Sequence, residues 1–156
     1  VYKRQLHIFF NMYFLLIFGG DTENAFGTAW FIVFYIVCGI LGGLFHAYVT
    51  YFLFPASANV PTIGASGAIF GVLASYALFF PNRPLYTFFG VWKAIYFVFF
   101  VVAVETIMAI YPLAGYGIAH TAHIGGFIAG ALFTLAFKAI KRGPFKKKKK
   151  IVVYYF

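Results

Sequence analysis

The chain has 156 residues, 63% of them hydrophobic and 10% charged, against about 45–50% and about 25% in an ordinary soluble domain. A mean hydropathy of +0.91 excludes a soluble globular enzyme, a disordered tail and a disulfide-stapled secreted module. Apolar blocks long enough to cross a bilayer, at about 20 residues per helix, predict one compact all-α membrane protein, a polytopic helical bundle of roughly five spans.

In chain order, the first apolar stretch covers 6–18 and ends at Gly19-Gly20-Asp21. It is short enough to be re-entrant rather than spanning. The chain opens at Val1 with no signal-peptide layout, and the expectation is a piece of a longer protein. A long apolar run over 28–54 holds the single cysteine, Cys38, which excludes an internal disulfide and reads as a small packing residue. Pro55 to Pro61 is a turn-rich loop. A third span covers 64–80 and closes at Pro81-Asn82-Arg83-Pro84. A fourth covers 88–111, a loop follows over 112–117, and a fifth span covers 119–140. Polar residues are nearly absent for long stretches, which fits helices rather than the alternating strands of a membrane barrel.

Seven of the twelve basic residues fall between Lys141 and Lys150. Such a run can mark nucleic-acid binding. Directly after an apolar span it reads better as a cytoplasmic anchor, with no nucleic acid as a partner. The chain thus divides into a transmembrane core, 1–142, and a basic cytoplasmic tail, 143–156.

Small residues recur at four-residue spacing in Gly39/Gly43, Gly67/Gly71 and Gly126/Gly130. This spacing puts two glycines on one helix face and lets backbones approach closely. For Gly39/Gly43 the reading is generic packing. The other two pairs adjoin polar residues, where packing can bring two side chains into contact.

Polar groups inside a bilayer are costly, so each is a functional candidate. They are His7, Asn11, His46, Ser66, Lys93, Glu105, His120 and His123. Ser66 lies in Gly64-Ala65-Ser66-Gly67, where a loop turns into the third span. The free N–H groups of a first helical turn surround it there, as a nucleophile with an oxyanion hole requires. A tight helix crossing explains the same small residues. His123, in Ala122-His123-Ile124-Gly125-Gly126, is a candidate general base near the start of the fifth span. Spans one, three and five run in the same direction, so His7, Asn11, Ser66 and His123 converge on one end of the bundle. Of the three acids, Asp21 and Glu23 sit in a loop at the opposite end. Glu105 is expected to be structural, paired within the bundle or neutral through burial. The catalytic reading is therefore a Ser–His dyad without a third member, with no metal and no cofactor.

These residues resemble the rhomboid intramembrane serine proteases, over nearly the whole chain from His7 to about Lys141. His7-Ile-Phe-Phe-Asn11-Met12 is similar to the family's H-x-x-x-N-M, and Glu23-Asn-Ala-Phe-Gly27 to its E-x-x-x-G. The Gly64–Gly67 and Ala122–Gly126 segments are similar to its nucleophile motif and its A-H-x-x-G. The resemblance implies Ser66 as nucleophile and His123 as base. It implies an oxyanion hole from His7, Asn11 and the N–H groups of Ala65 and Ser66. Gly64, Gly67, Phe70 and Gly126 would support the site, with the Phe70 ring packed on His123, and Glu23 would tie down its loop. Lys93, Glu105 and the Ala119-His120-Thr121-Ala122-His123 repeat resemble a bacterial subset. The family core has six helices, so the expectation is that five are present and the first helix and first loop are lacking. Lys3 and Arg4 would then lie on the outer side, against the charge rule.

The implied function is an intramembrane serine endopeptidase that cleaves transmembrane protein substrates in or near their membrane segments. It would sit in a bacterial inner membrane with the site opening to the outer side and the C-terminus in the cytoplasm. The fourth span and the loops at the open end are the expected gate. The competing readings are a catalytically silent rhomboid-like protein that binds transmembrane clients, and a small proton-relay transporter. The transporter would need acids and histidines spread across the bilayer.

Overall fold

The computed structural model describes residues 2–53, 65–110 and 120–141, with side chains from Gln5 onward. The loops expected at 55–61 and 112–117, Gly64 and the tail 143–156 lie outside the described residues.

The first helix, α1 (Tyr2–Phe14), does not stop at the glycine pair. It passes through a π-helical turn, Leu15–Gly19, into α2 (Gly20–Phe26). Gly19 and Gly20 both keep helical backbone angles. Glycine costs a helix about 1 kcal/mol without forbidding it, so the pair weakens the helix and does not end it. The break comes at Gly27, whose φ of +86° suits a residue without Cβ and whose N–H closes the last turn on the Glu23 carbonyl at 2.6 Å. Glu23 therefore lies in a short helix rather than a loop. Its Oε1 accepts a hydrogen bond from the Thr28 hydroxyl at 2.8 Å, across the bend into α3.

Helix α3 (Thr28–Leu53) and helix α6 (His120–Lys141) are long and apolar enough to cross a membrane. Helices α4 (Ser66–Phe79) and α5 (Ala94–Ile110) are apolar but shorter. Helix α4 is the centre of the bundle. It packs on α3 and α6 along its length and touches α1, α2 and α5, and it is buried almost continuously from Ser66 to Ala77. Phe34, Cys38, Val72, Leu73 and Val98 form the innermost layer, with exposures of 1% or less. Large apolar side chains of α3, α5 and α6 point outward, among them Ile36, Ile40, Phe99, Ile107 and Leu132. A soluble domain would not leave so continuous an apolar exterior.

The fourth span begins six residues later than hydropathy suggests. Residues 84–93 form an antiparallel hairpin, β1 (Pro84–Thr87) with β2 (Gly90–Lys93), pairing Pro84 with Lys93 and Thr87 with Gly90. Gly90 takes a φ of +107°. The Thr87 hydroxyl donates to the Gly90 carbonyl at 2.8 Å and accepts from the Phe89 N–H at 3.2 Å. These local bonds turn the chain although its side chains are apolar, and hydropathy does not register them. At this same end Asp21 pairs with Arg83, and the carboxylate's hydrogen bond raises the Arg83 guanidinium above its ordinary range. Helix α2 and the loop after α4 thus share one side of the bundle.

Candidate active site

The site is built on the contact between α4 and α6. A Cβ on Gly126 would lie 2.0 Å from the Gly67 carbonyl oxygen, and one on Gly130 would lie 2.5 Å from the Gly71 Cα. The two glycine pairs therefore face each other with backbones touching, as their spacing predicts. Helix α3 joins the junction through Gly42, where a Cβ would meet the Ala122 carbonyl at 2.8 Å. The pair expected to pack generically does so lightly. A Cβ on Gly39 would make an ordinary 3.6 Å contact with Ala68, and one on Gly43 would meet nothing within 4 Å.

Ser66 and His123 adjoin this junction. The Ala122 carbonyl oxygen lies 3.3 Å from where a Gly67 Cβ would stand, so the residue before His123 sits against the residue after Ser66. Both side chains are enclosed, Ser66 at 8% exposure and His123 at 5%. Ser66 is the first residue of α4, with Ala65 before it as the half-buried cap. The N–H groups of that first turn have no acceptor within the helix. Phe70, one turn further along the same face of α4, stacks on the His123 ring with centroids 4.3 Å apart and planes 6° from parallel.

His7 is partly buried on α1, and its Nε2 is buried without a hydrogen-bond partner among the described residues. Asn11 lies one turn along α1 and is also partly buried.

Glu105, expected to be structural and paired within the bundle, reaches His123, for which a dyad without a third member was expected. Its Oε2 lies 2.8 Å from His123 Nδ1 and 2.7 Å from His120 Nδ1. The reason is direction. Helix α5 runs toward the end where α6 starts, so a residue two-thirds along α5 meets the first turn of α6. Glu105 is paired within the bundle, and the histidine acquires a third partner. Glu105, His120 and His123 are also the cluster among the described residues whose ligand atoms, all within 4.8 Å of one another, would suit a metal ion.

A family model for the rhomboid domain matches residues 1–140. The chain belongs to the rhomboid family. It is 32% identical over 149 residues to rhomboid protease AarA of Providencia stuartii, covering 88% of this chain and 53% of that protein. It is 30% identical over 136 residues to the mitochondrial rhomboid protein 1 of Saccharomyces cerevisiae, covering 81% of this chain and 36% of that one. It is 29% identical over 133 residues to rhomboid protease GlpG of Haemophilus influenzae, covering 85% and 63%. The chain thus spans about half the length of the curated relatives it matches. No solved structure matches it. As a rhomboid, with an all-α bundle and an apolar exterior, it is an integral membrane protein.

Two partnerships in this rhomboid bundle were not expected from the sequence, although His46 itself is among its polar candidates. His46 on α3 is buried, and its Nδ1 shares a 2.5 Å hydrogen bond with the Thr121 hydroxyl beside the site. Helix direction was the available signal, since the end of α3 faces the same side as the start of α6. The other is a bond across α4 and α6 at mid-depth, Ser75 to Thr134 at 2.6 Å. Thr134 donates to the Gly130 carbonyl at 2.7 Å, so Ser75 is the donor to Thr134. Serine and threonine hide in apolar runs because their hydroxyls are satisfied by the preceding turn or a neighbouring helix.

Proposed function

We propose that this rhomboid is an intramembrane serine endopeptidase in which Ser66 is the nucleophile and His123 the general base. The observation that carries the reading is the backbone contact of Gly67 with Ala122 and Gly126. That contact supports a site shared by Ser66 and His123, and Phe70 stacks on the imidazole face. The relatives AarA and GlpG are rhomboid proteases by name, which supports the same reaction.

The chemistry follows from the groups present. Ser66 Oγ attacks the scissile carbonyl as His123 takes its proton. The oxyanion that develops needs donors already aimed at it. The N–H groups of Ala65 and Ser66 and the side chains of His7 and Asn11 fill that role, and the unpartnered His7 Nε2 supports it. His123 then gives the proton to the leaving amine, and a water activated by His123 releases the acyl group from Ser66. Gly67, having no side chain, lets α6 pack closely against the residue after Ser66.

Helix length supports an intramembrane site. The 14 residues of α4 rise about 21 Å, whereas the hydrocarbon core is about 30 Å thick. A helix that ends near one interface at Pro81 therefore places Ser66 roughly 10 Å short of the other. Substrates at that depth are transmembrane segments of other proteins within the lipid bilayer. Residues that favour local unwinding would expose the scissile bond. The bacterial inner membrane, a site open to the outer side and a cytoplasmic C-terminus belong to the same proposal.

The test is labelling by a fluorophosphonate in liposomes, together with cleavage of a transmembrane reporter. Labelling and cleavage lost in both Ser66→Ala and His123→Ala are expected. Cleavage that persists in Ser66→Ala overturns the mechanism. Reporter binding without labelling of the wild type would instead mark a silent client-binding protein.

A further inference from the structure

We propose that Glu105 is a positioning residue that holds His123 in the one tautomer able to accept the serine proton, and that His120 pins the Glu105 carboxylate for that task. The proposal rests on the serine-protease reading above and deepens it from a dyad to a buttressed triad.

The argument begins with what one oxygen can do. Glu105 Oε2 meets two ring nitrogens, His120 Nδ1 at 2.7 Å and His123 Nδ1 at 2.8 Å. An ionised carboxylate only accepts, so both imidazoles donate their Nδ1–H to it. A neutral imidazole with its proton on Nδ1 has its lone pair on Nε2. The geometry thus leaves Nε2 of His123 as the atom that receives the Ser66 proton. When it does, the ring becomes an imidazolium whose Nδ1–H already points at an anion, a charge-assisted bond that is worth more away from bulk water.

The ring is held in two independent ways. Phe70 stacks on its face and sets its plane. Glu105 engages its edge and selects which nitrogen turns away. Glu105 is itself half-enclosed while its α5 neighbours Val104, Ile107 and Met108 face outward. A membrane helix does not turn its one carboxylate inward without a partner. His120 keeps that carboxylate from swinging away, because both rings share a single oxygen. Among the described residues, the other titratable groups on the elements around the site are His46 of α3, which bonds Thr121, and His7 of α1, while α4 presents Ser66. Among the described residues Glu105 is the acid at this end, since Asp21 pairs with Arg83 and Glu23 with Thr28 at the other.

Glu105→Gln keeps the shape and removes the charge. Its kcat on the reporter is expected to fall about 10²-fold, the lower end of what general acid–base catalysis supplies, with KM unchanged within about twofold, and fluorophosphonate labelling should slow in parallel. Glu105→Asp should recover part of the loss, and His120→Asn should cost about 3–10-fold in kcat, less than removing the charge. A 15N-histidine NMR spectrum of the wild type in bilayers should show His123 in the Nδ1–H tautomer. That measurement needs no variant to fold. An Nε2–H tautomer in the wild type overturns the proposal. So does wild-type kcat in Glu105→Gln, and a rise in kcat would make the contact a mere latch between α5 and α6. Loss of activity on dialysis against EDTA would assign the cluster to a metal and overturn it too. Labelling that survives Ser66→Ala sinks the underlying serine reading. Labelling lost in Ser66→Ala but at wild-type rate in Glu105→Gln sinks only the role of Glu105.

Discussion

A serine hydroxyl is a weak nucleophile until a base beside it is held in one orientation. For His123 the face contact is Phe70, and aromatic stacking is worth about 0.5–1.5 kcal/mol beyond area burial. Phe70→Ala should therefore lower kcat by about 3–10-fold while the protein stays folded. Phe70→Tyr should keep most of the activity, because the ring is retained. Both are read as reporter cleavage per folded enzyme in detergent. At mid-depth, Ser75→Ala removes the donor to Thr134 but leaves Thr134 bonded to Gly130. The expected cost is about 0.6–1.7 kcal/mol, since interhelical hydrogen bonds in membranes are modest, and denaturant unfolding in micelles checks it. Ser66 and His123 could be singled out from the sequence because polar residues are so scarce there. The partner of His123 could not, since Glu105 is 18 residues away in sequence and meets it only through helix direction.

At the scale of elements, the glycines decide how closely helices approach. Gly126→Ala would drive a methyl into the Gly67 carbonyl. Backbone cannot give way as a flexible side chain can, so destabilisation of about 3 kcal/mol or more is expected, with activity lost as Ser66 and His123 separate. Gly43→Ala is the control. Nothing lies within 4 Å of its Cβ, and stability should be unchanged or raised by up to about 1 kcal/mol through helix propensity. Equal loss in the two variants would refute a specific α4–α6 contact. Gly27→Ala should be destabilising for a different reason, the positive φ at the bend, by about 1–2 kcal/mol. Four-residue spacing in the sequence identified Gly67/Gly71 and Gly126/Gly130. It also suggested Gly39/Gly43, while the glycine that touches α6 from α3 is Gly42. A motif counts residues, whereas contact depends on which way the helix is rotated.

Across the whole molecule, α5 packs less closely on α4 than α3 and α6 do. Its buried residues, Ala94 and Val98, are confined to its first turns, and toward the site end it joins α6 through Glu105. The Asp21–Arg83 end and the C-terminus of α6 share one side, opposite Ser66. A cysteine placed at Asn82 should therefore react with a membrane-impermeant maleimide from the same side as one placed at Lys148. Cys38 is buried and should stay silent. Labelling of these two positions from opposite sides would refute the topology.

Composition alone determined that the chain is a helical membrane protein, because scarcity of charge over span-length blocks leaves few other folds. The order of its motifs pointed to the rhomboid family. The hairpin at 84–93 and the helix that runs through Gly19-Gly20 were decided by backbone bonds that hydropathy does not record. The joining of Glu105 to His120 and His123 was decided by tertiary structure alone. A carboxylate in lipid must find a partner, but which partner it finds depends on the direction and rotation of two helices that only the packed bundle establishes.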